Sequence, residues 1–349
     1  MTIPPDLYGR RSRDRFVLAA SALFTGVQKL RSLRPPALPP VRPVDRSMRL
    51  TVTSVVPVAE DVVALTLAAP DDRVLPAWQP GCHLDLHLPS GRRRQYSLCG
   101  DPSDRRTYRI AVRRLPDGGG GSLEIHNAIS EGDTLKVQGP RNAFPFISRD
   151  RYLFIAGGIG ITPILPMVKA AHKAAADWHL IYTGRSRATL PFLDDLAGLP
   201  ESRITIRTDD EHGVPDCADL LTRATPGTAV HVCGPAPMID GIRAAFPPAA
   251  TLHYERFAPA PVTDGKPFEV ELASSGRVLQ IPPARSALDV IKEEKPDVAY
   301  SCRQGFCGTC KTRVLSGEVD QRAPSDPPGD DTMLICVSRA TQGRLTLDL

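Results

Sequence analysis

Three of the chain's eight cysteines lie within nine positions, in the stretch SCRQGFCGTC that ends at Cys310. Cys302, Cys307 and Cys310 are spaced C-x4-C-x2-C, and Cys336 follows after a long gap. That is the plant-type spacing for four thiolates around a [2Fe–2S] cluster. Structural zinc prefers two short C-x2-C hooks, and only Cys307 and Cys310 form one. Gly305, Gly308 and Thr309 between the ligands are small, as a loop must be if it wraps a cluster and turns backbone N–H groups toward the sulfurs. The stretch is therefore read as holding iron and sulfide, a centre that moves one electron at a time. Around it, PFEVELASSGRVLQIP reads as a hairpin turning at Ser274 to Gly276, and SALDVIKEE as a short helix capped by Ser286.

The other four cysteines, Cys82, Cys99, Cys217 and Cys233, are scattered singles, so the chain reads as cytosolic, with its clustered cysteines reserved for a metal. At 349 residues it is long enough for two or three domains. An apolar share of 42% with 23% charged residues describes a globular rather than a disordered or membrane-embedded chain. The net charge of +4 is small, and the basic residues are mixed with 39 acidic ones rather than gathered in a stripe, so no nucleic-acid partner is expected. The 35 prolines, about twice the usual share, stiffen loops and linkers.

Residues 1–47 form an extension. Phe16, Ala20, Leu23, Val27 and Leu30 recur at steps of four and three, the period of an amphipathic helix. Its apolar run of about a dozen residues is short of the ~20 that span a bilayer. No small-residue cleavage site precedes RPPALPPVRP. The expectation is a helix packed on the protein's own surface, ahead of a docking or membrane-surface helix, with a targeting peptide last.

Residues 48–147 alternate with period two in six short stretches, LTVTSVVPV, VVALTLAAP, CHLDLHLPS, RQYSLCG, TYRIAVRRL and DTLKVQG, which predicts a small antiparallel β-barrel. In RRRQYSLCGDP, alternation sends Arg94 and Tyr96 to one face and Ser97 to the other unless a bulge gathers them. An arginine can clamp a phosphate and a tyrosine can lie on a flat heterocycle; the same pair also occurs as plain solvated side chains. DGGGGSLEIH puts glycines and Ser122 ahead of a helix, either as a phosphate cradle or as a flexible hairpin loop. Residues 148–257 alternate strand and helix: YLFIAGGIGITP is strand, glycine turn and a helix opened by Thr162 as N-cap with Pro163 at its first position. Strands follow at HLIYTG, RITIRT and AVHVCG, separated by helical stretches such as PFLDDLAGL, CADLLTRA and PMIDGIRAAF, the pattern of a parallel α/β sheet. Ligands bind at carboxyl ends of such strands, here Gly157 to Gly160, Thr183 to Arg185, Asp209 and Asp210, and Cys233 with Gly234. The glycine turn serves a nucleotide or merely close helix–strand packing. Residues 258–267 are a linker and 268–349 the cysteine-bearing domain.

A hydride donor gives two electrons and the cluster accepts one, so a flavin is needed to split the pair. In this order, RRQYSL, GGGGS, GPRNAFPF, GGIGITP, CGPAPM and the cysteine pattern resemble the phthalate dioxygenase reductase family, including vanillate demethylase reductase subunits, over residues 48–349. The resemblance implies a multidomain fold: an antiparallel flavin barrel, an α/β nucleotide domain and a β-grasp ferredoxin of the α+β class. It implies that Arg94, Tyr96 and Ser97 bind the flavin, with Ser97 beside its reactive nitrogen, that Ile110, Ala111 and Val112 lie along the ring, and that Gly121 and Ser122 meet its phosphate. Gly158, Gly160, Thr162, Thr183 and Arg185 would hold the pyridine nucleotide. Cys233, Gly234, Pro235 and Met238 would sit where the nicotinamide approaches, and Phe257 would cover the ring until then. Ser97 and Cys233 are the candidate catalytic residues, and Cys302, Cys307, Cys310 and Cys336 the metal ligands.

The implied cofactors are FMN, ahead of FAD, the [2Fe–2S] cluster, and NADH or NADPH. Family practice favours NADH, whereas Arg185 and Arg187 in TGRSR are placed to receive a 2′-phosphate. Arg303, Lys311 and Arg313 beside the cluster tune its potential, steer a partner, or are ordinary surface charges. The eight histidines show no ligand spacing, so no oxygen-activating site is expected on this chain. The implied activity is electron transfer to a separate terminal oxygenase. The alternative is a redox-sensing or electron-storage module whose cluster state controls a protein partner.

Overall fold

The computed structural model describes residues 14–33, 47–116, 119–257, 262–300, 303–305, 308–322, 329 and 331–349. It separates into two units, 1–46 and 47–349. In the first, α1 (Arg15–Leu33) starts where the Asp14 carboxylate accepts from Phe16 N at 2.8 Å, an N-cap the basic run before it does not supply. Phe16 and Leu23 of its apolar stripe are 81% and 73% exposed. No helix among the described residues is long and apolar enough to cross a membrane.

The second unit begins with the six period-two stretches, now β1 (Met48–Ala59), β2 (Val62–Ala68), β3 (Cys82–His87), β4 (Arg93–Ser97), β5 (Thr107–Arg113) and β6 (Thr134–Asn142). They pair antiparallel in the order β4-β3-β6-β1-β2-β5. A bridge from Leu98 to Ile110 joins the two edges and closes the barrel. Alternate residues such as Leu84 and Leu86, Leu135 and Val137, and Ile110 and Val112 are buried in it. Helix α2 (Gly121–Ala128) buries Ile125 in the same core.

Next comes a sheet of five parallel strands, β7 (Arg151–Gly157), β8 (Asp177–Gly184), β9 (Ile204–Thr208), β10 (Ala229–Cys233) and β11 (Thr251–Glu255). Their order is β11-β10-β7-β8-β9, so the chain's first strand is central. The helices are α3 (Ile161–Lys173), α4 (Asp209–His212), α5 (Cys217–Leu220) and α6 (Ala236–Ala244). Two expected helices shrink. PFLDDLAGL keeps only a 3-10 turn at Asp194–Leu196, and CADLLTRA only the four residues of α5. Pro191 and Pro200 bound the first stretch, leaving too few residues to offset the cost of nucleating a helix.

The start of α3 also differs from expectation. Its N-cap is Gly160 rather than Thr162, because the 3-10 turn Gly158–Gly160 runs straight into the helix. Thr162 Oγ1 instead donates to Ile159 O at 3.0 Å. Pro163 is then the third helical residue and not the first, still within the turn whose N–H groups have no intrahelical acceptor.

The last domain is α+β. Strands β12 (Phe268–Leu272), β13 (Arg277–Ile281), β14 (Lys311–Ser316), β16 (Thr332–Leu334) and β18 (Arg344–Leu347) form a sheet ordered β13-β12-β18-β14-β16, with β12 and β18 parallel. A second ribbon pairs β15 (Val319–Asp320) with β17 (Arg339–Ala340). Helix α7 (Ala287–Glu294) packs on this sheet through Leu288 and Ile291, and Ser286 caps it as expected, Asp289 N donating to Ser286 Oγ at 3.2 Å.

Candidate redox site

The alternation along β4 holds, and no bulge gathers its residues. Gln95 and Ser97 point into one cavity with His83 of β3; Arg94 turns to the glycine turn before α2, and Tyr96 packs half-buried on the barrel core. The other cavity walls are Glu255, Arg256 and Phe257 at the end of β11, and Arg303 and Gln304 between the first two cluster cysteines. Barrel, sheet and cysteine-bearing domain thus share one opening.

Ser97 Oγ donates to Glu255 Oε2 at 3.3 Å, and Glu255 lies directly across the strand pair from Cys233. Burial pushes Glu255 up to about 8 against the pull of the Ser97 hydrogen bond. Burial, reinforced by Glu255, raises the fully buried Cys233 thiol well above its usual value. Burial with Arg141 lowers His83 to about 4. At neutral pH all three are uncharged, so the face formed by His83, Ser97 and Glu255 is polar but neutral and suited to a flat heterocycle, and the charge of the cavity lining comes from Arg256 and Arg303.

The predicted nucleotide residues gather at the carboxyl ends of β7, β8 and β10. A Cβ at Gly160 would lie 2.2 Å from Cys233 O, and one at Gly234 would lie 3.0 Å from Gly157 Cα. The glycines therefore let two turns touch backbone to backbone. Thr183 Oγ1 donates to Ala156 O at 3.3 Å and meets Met238 Sδ at 3.6 Å, while Pro235 caps α6. Arg185 is exposed beyond β8, its carbonyl accepting from Asp210 N at 3.0 Å. Gly160→Ala is expected to cost about 1–3 kcal/mol by forcing these turns apart, read as a lowered urea midpoint.

A flavin fits the barrel on two observations. Arg94 Nη2 donates to Gly119 O at 2.8 Å, and a Cβ at Gly121 would lie 2.5 Å from Arg94 Nε, so the bare glycine turn is what admits the guanidinium beside the start of α2. Ser122 Oγ is tied to Leu115 N at 3.0 Å, which fixes that turn, and Ile110, Ala111 and Val112 are buried along β5. Burial raises Tyr96 to about 12, keeping it a neutral ring.

Cys302 and Cys307 lie outside the described residues. Cys310 and Cys336 are 4% and 5% exposed, and Ile335 N donates to Cys310 O at 3.4 Å, bringing the two cysteine-bearing segments side by side where β14 meets β16. Arg303, Gly305 and Gly308 have positive φ, 56°, 85° and 69°, left-handed backbone of the kind that turns N–H groups inward. Buried thiolate donors of this spacing fit iron and sulfide. His83, Gln95, Glu255 and Gln304 are cavity residues that the sequence reading missed. Gln95 inside RRQYSL, Gln304 inside the cysteine stretch and Glu255 in YERF carried a positional signal; His83 carried none.

A barrel with an arginine-filled glycine turn, a parallel sheet meeting it at Ser97, Glu255 and Cys233, and a cysteine-bearing α+β domain define an iron–sulfur flavoprotein reductase. The model for "Oxidoreductase FAD-binding domain" matches residues 49–146, and that for "2Fe-2S iron-sulfur cluster binding domain" matches residues 270–341. Phthalate dioxygenase reductase from Burkholderia cepacia is 35% identical over 87% of this chain and 98% of its own length. A solved structure of a phthalate dioxygenase reductase superposes with a TM-score of 0.66 at 35% identity, covering 87% of this chain and 98% of that one. Full-length CYP116B46 from Tepidiphilus thermophilus superposes with a TM-score of 0.69 at 37% identity over 93% of this chain, which spans only 45% of that longer protein. The chain belongs to the phthalate dioxygenase reductase family, oxidoreductases that carry electrons from a pyridine nucleotide through a flavin to a [2Fe–2S] cluster.

Proposed function

We propose that this chain is the NADH-dependent, FMN-containing reductase component of an oxygenase system, handing electrons singly to a separate terminal oxygenase. The observation that carries it is the shared cavity, where the barrel's Ser97, the sheet's Glu255 and Phe257, and Arg303 and Gln304 of the cluster loop meet. When bound, the flavin accepts a hydride from the nicotinamide and the cluster takes the electrons one at a time. The protein's part is positioning. Ser97 offers a hydroxyl held by Glu255, fully buried Cys233 backs Glu255 from the neighbouring strand, and half-exposed Phe257 screens the ring position from water. Arg94 with the turn at Gly119 to Ser122 binds the flavin phosphate, and the GPRNAFPF motif with a C-terminal ferredoxin favours the mononucleotide. Asp209, Asp210 and Glu211 follow β9 directly, so three carboxylates oppose a 2′-phosphate near Arg185, which supports NADH. The domain limits 48–147, 148–257 and 268–349 belong to the same proposal, with each cofactor class assigned to one segment.

Anaerobic stopped-flow mixing with NADH is expected to bleach the flavin first and the cluster second. NADPH should be at least about tenfold slower, a difference of 1.4 kcal/mol or more in the barrier. Flavin released by denaturation is expected to chromatograph as FMN. Failure of either nucleotide to bleach the flavin overturns the reductase reading, and release of FAD overturns the cofactor choice alone.

A further inference from the structure

Tyr300 stands two residues before Cys302 and is only 5% exposed. Its neighbours come from two domains. Arg93 of the barrel strand β4 donates from Nε to the Tyr300 hydroxyl at 3.2 Å and lies over the ring, Cζ 4.2 Å from the centroid. Lys292 of α7 places Nζ 4.3 Å from the same centroid. Arg93 is itself held from behind by the fully buried Asp85, 3.8 Å away, which also pairs with Arg141. Two cations over one desolvated ring make a strong contact, worth more here than at an exposed site.

A second tie runs from the other side of Cys302. Gln304 is 6% exposed, and its Nε2 donates to Arg256 O at 2.5 Å. Arg256 stands between Glu255 and Phe257, and its guanidinium is anchored to Asp240 of α6. Within the cysteine-bearing domain Arg303 pairs with Asp289 of α7. The cluster loop is therefore fixed at Tyr300 to the barrel and at Gln304 to the end of β11, the two walls of the flavin cavity.

We infer that Tyr300 and Gln304 are positioning residues that lock the cluster loop against the flavin cavity and so set the rate of electron passage from flavin to cluster. This rests on the reductase reading above. The step moves one electron: the reduced flavin is oxidised by one, one ferric ion of the cluster becomes ferrous, and no bond between them forms or breaks. Its rate falls steeply with separation, so a loop freed at both ends slows it. Tyr300 is not part of the cavity lining, so hydride arrival does not use its contact.

The test uses the full-length holoprotein with Tyr300→Leu, Gln304→Leu and the double substitution. With NADH in anaerobic stopped flow, flavin bleaching in Tyr300→Leu is expected to stay within about twofold of wild type, and the ratio of cluster to flavin bleaching rates in the double variant to fall about a hundredfold. Hydrogen exchange should quicken at the Tyr300–Gly305 and Arg256–Phe257 segments in the same variants at wild-type iron content, where cluster loss does not account for it. Iron content checks loading, and Arg93→Gln makes the same test from the barrel strand, leaving the loop's own sequence unchanged, if the loop substitutions lower it. Wild-type cluster bleaching in loaded double and Arg93 variants overturns the inference while leaving the reductase reading intact. Absence of flavin bleaching in the wild type would instead remove that reading.

Discussion

Cys310→Ser is expected to abolish the cluster's visible absorbance and its low-temperature electron paramagnetic resonance, and to cut NADH-driven reduction of cytochrome c by at least about a hundredfold. Ferricyanide, which accepts directly from a flavin, should still be reduced at near the wild-type rate. The asymmetry follows from where the residue sits. Cys310 is nearly fully buried, its carbonyl bonded to Ile335 N beside Cys336, so a serine there offers a hard, protonated oxygen where a soft thiolate is needed and has no water to solvate it. Ser97, Glu255 and Cys233 belong to the barrel and the sheet, and nothing in their contacts depends on Cys310. Stability should follow the same division. Cysteines on either side of a long gap are tied through the cluster, and loss of that tie returns the loop's entropy to the unfolded chain. The melting temperature of the cysteine-bearing domain should drop while the barrel and sheet unfold as before. Loss of ferricyanide activity together with cytochrome c activity would contradict this separation.

Legibility in the sequence followed the physical range of each signal. Period-two alternation is local, and all six barrel stretches are strands; the cysteine spacing is local too and points to its chemistry without any knowledge of the fold. The limits appear where a residue's role depends on a distant segment. Thr162 has the composition of an N-cap, but the preceding glycines curl into a 3-10 turn and take that place, so its hydroxyl bonds backward. PFLDDLAGL has helical spacing, yet flanking prolines cut it to one turn. Glu255 is the clearest case. TLHYE gives no strong strand signal, so β11 was not read as a strand, and only the parallel pairing with β10 sets Glu255 opposite Cys233 and within reach of Ser97, 158 residues earlier. Gln304 was hidden for the same reason: its acceptor, Arg256 O, is 48 residues away in another domain.

Glu255 also has the sharpest pH consequence. Its carboxyl is buried in contact with Ser97 and Cys233, and burial lifts its pKa from 4.5 to about 8. Below that pH the Ser97–Glu255 face of the cavity carries no charge; above it, a carboxylate without water faces the position where a hydride must arrive, and repulsion raises the barrier. The rate of flavin bleaching by NADH is therefore expected to be flat at neutral pH and to fall about tenfold per unit above pH ~8. Glu255→Gln keeps the shape and cannot ionise, so it should hold the neutral-pH rate within about threefold and lose the alkaline fall. Stability has its own sign. Below pH 4.5 the carboxyl is protonated folded or unfolded and contributes no pH dependence. Between 4.5 and about 8 the folded chain retains a proton that the unfolded chain has released, so stability declines as pH rises, and above about 8 the decline from this group is complete. Urea midpoints measured at pH 6 and pH 9 should thus differ less in Glu255→Gln than in the wild type. An unchanged alkaline fall in that variant would assign the titration elsewhere, and a collapse of its rate at pH 6 would mean that the Glu255 proton itself moves during hydride transfer rather than only keeping the wall uncharged.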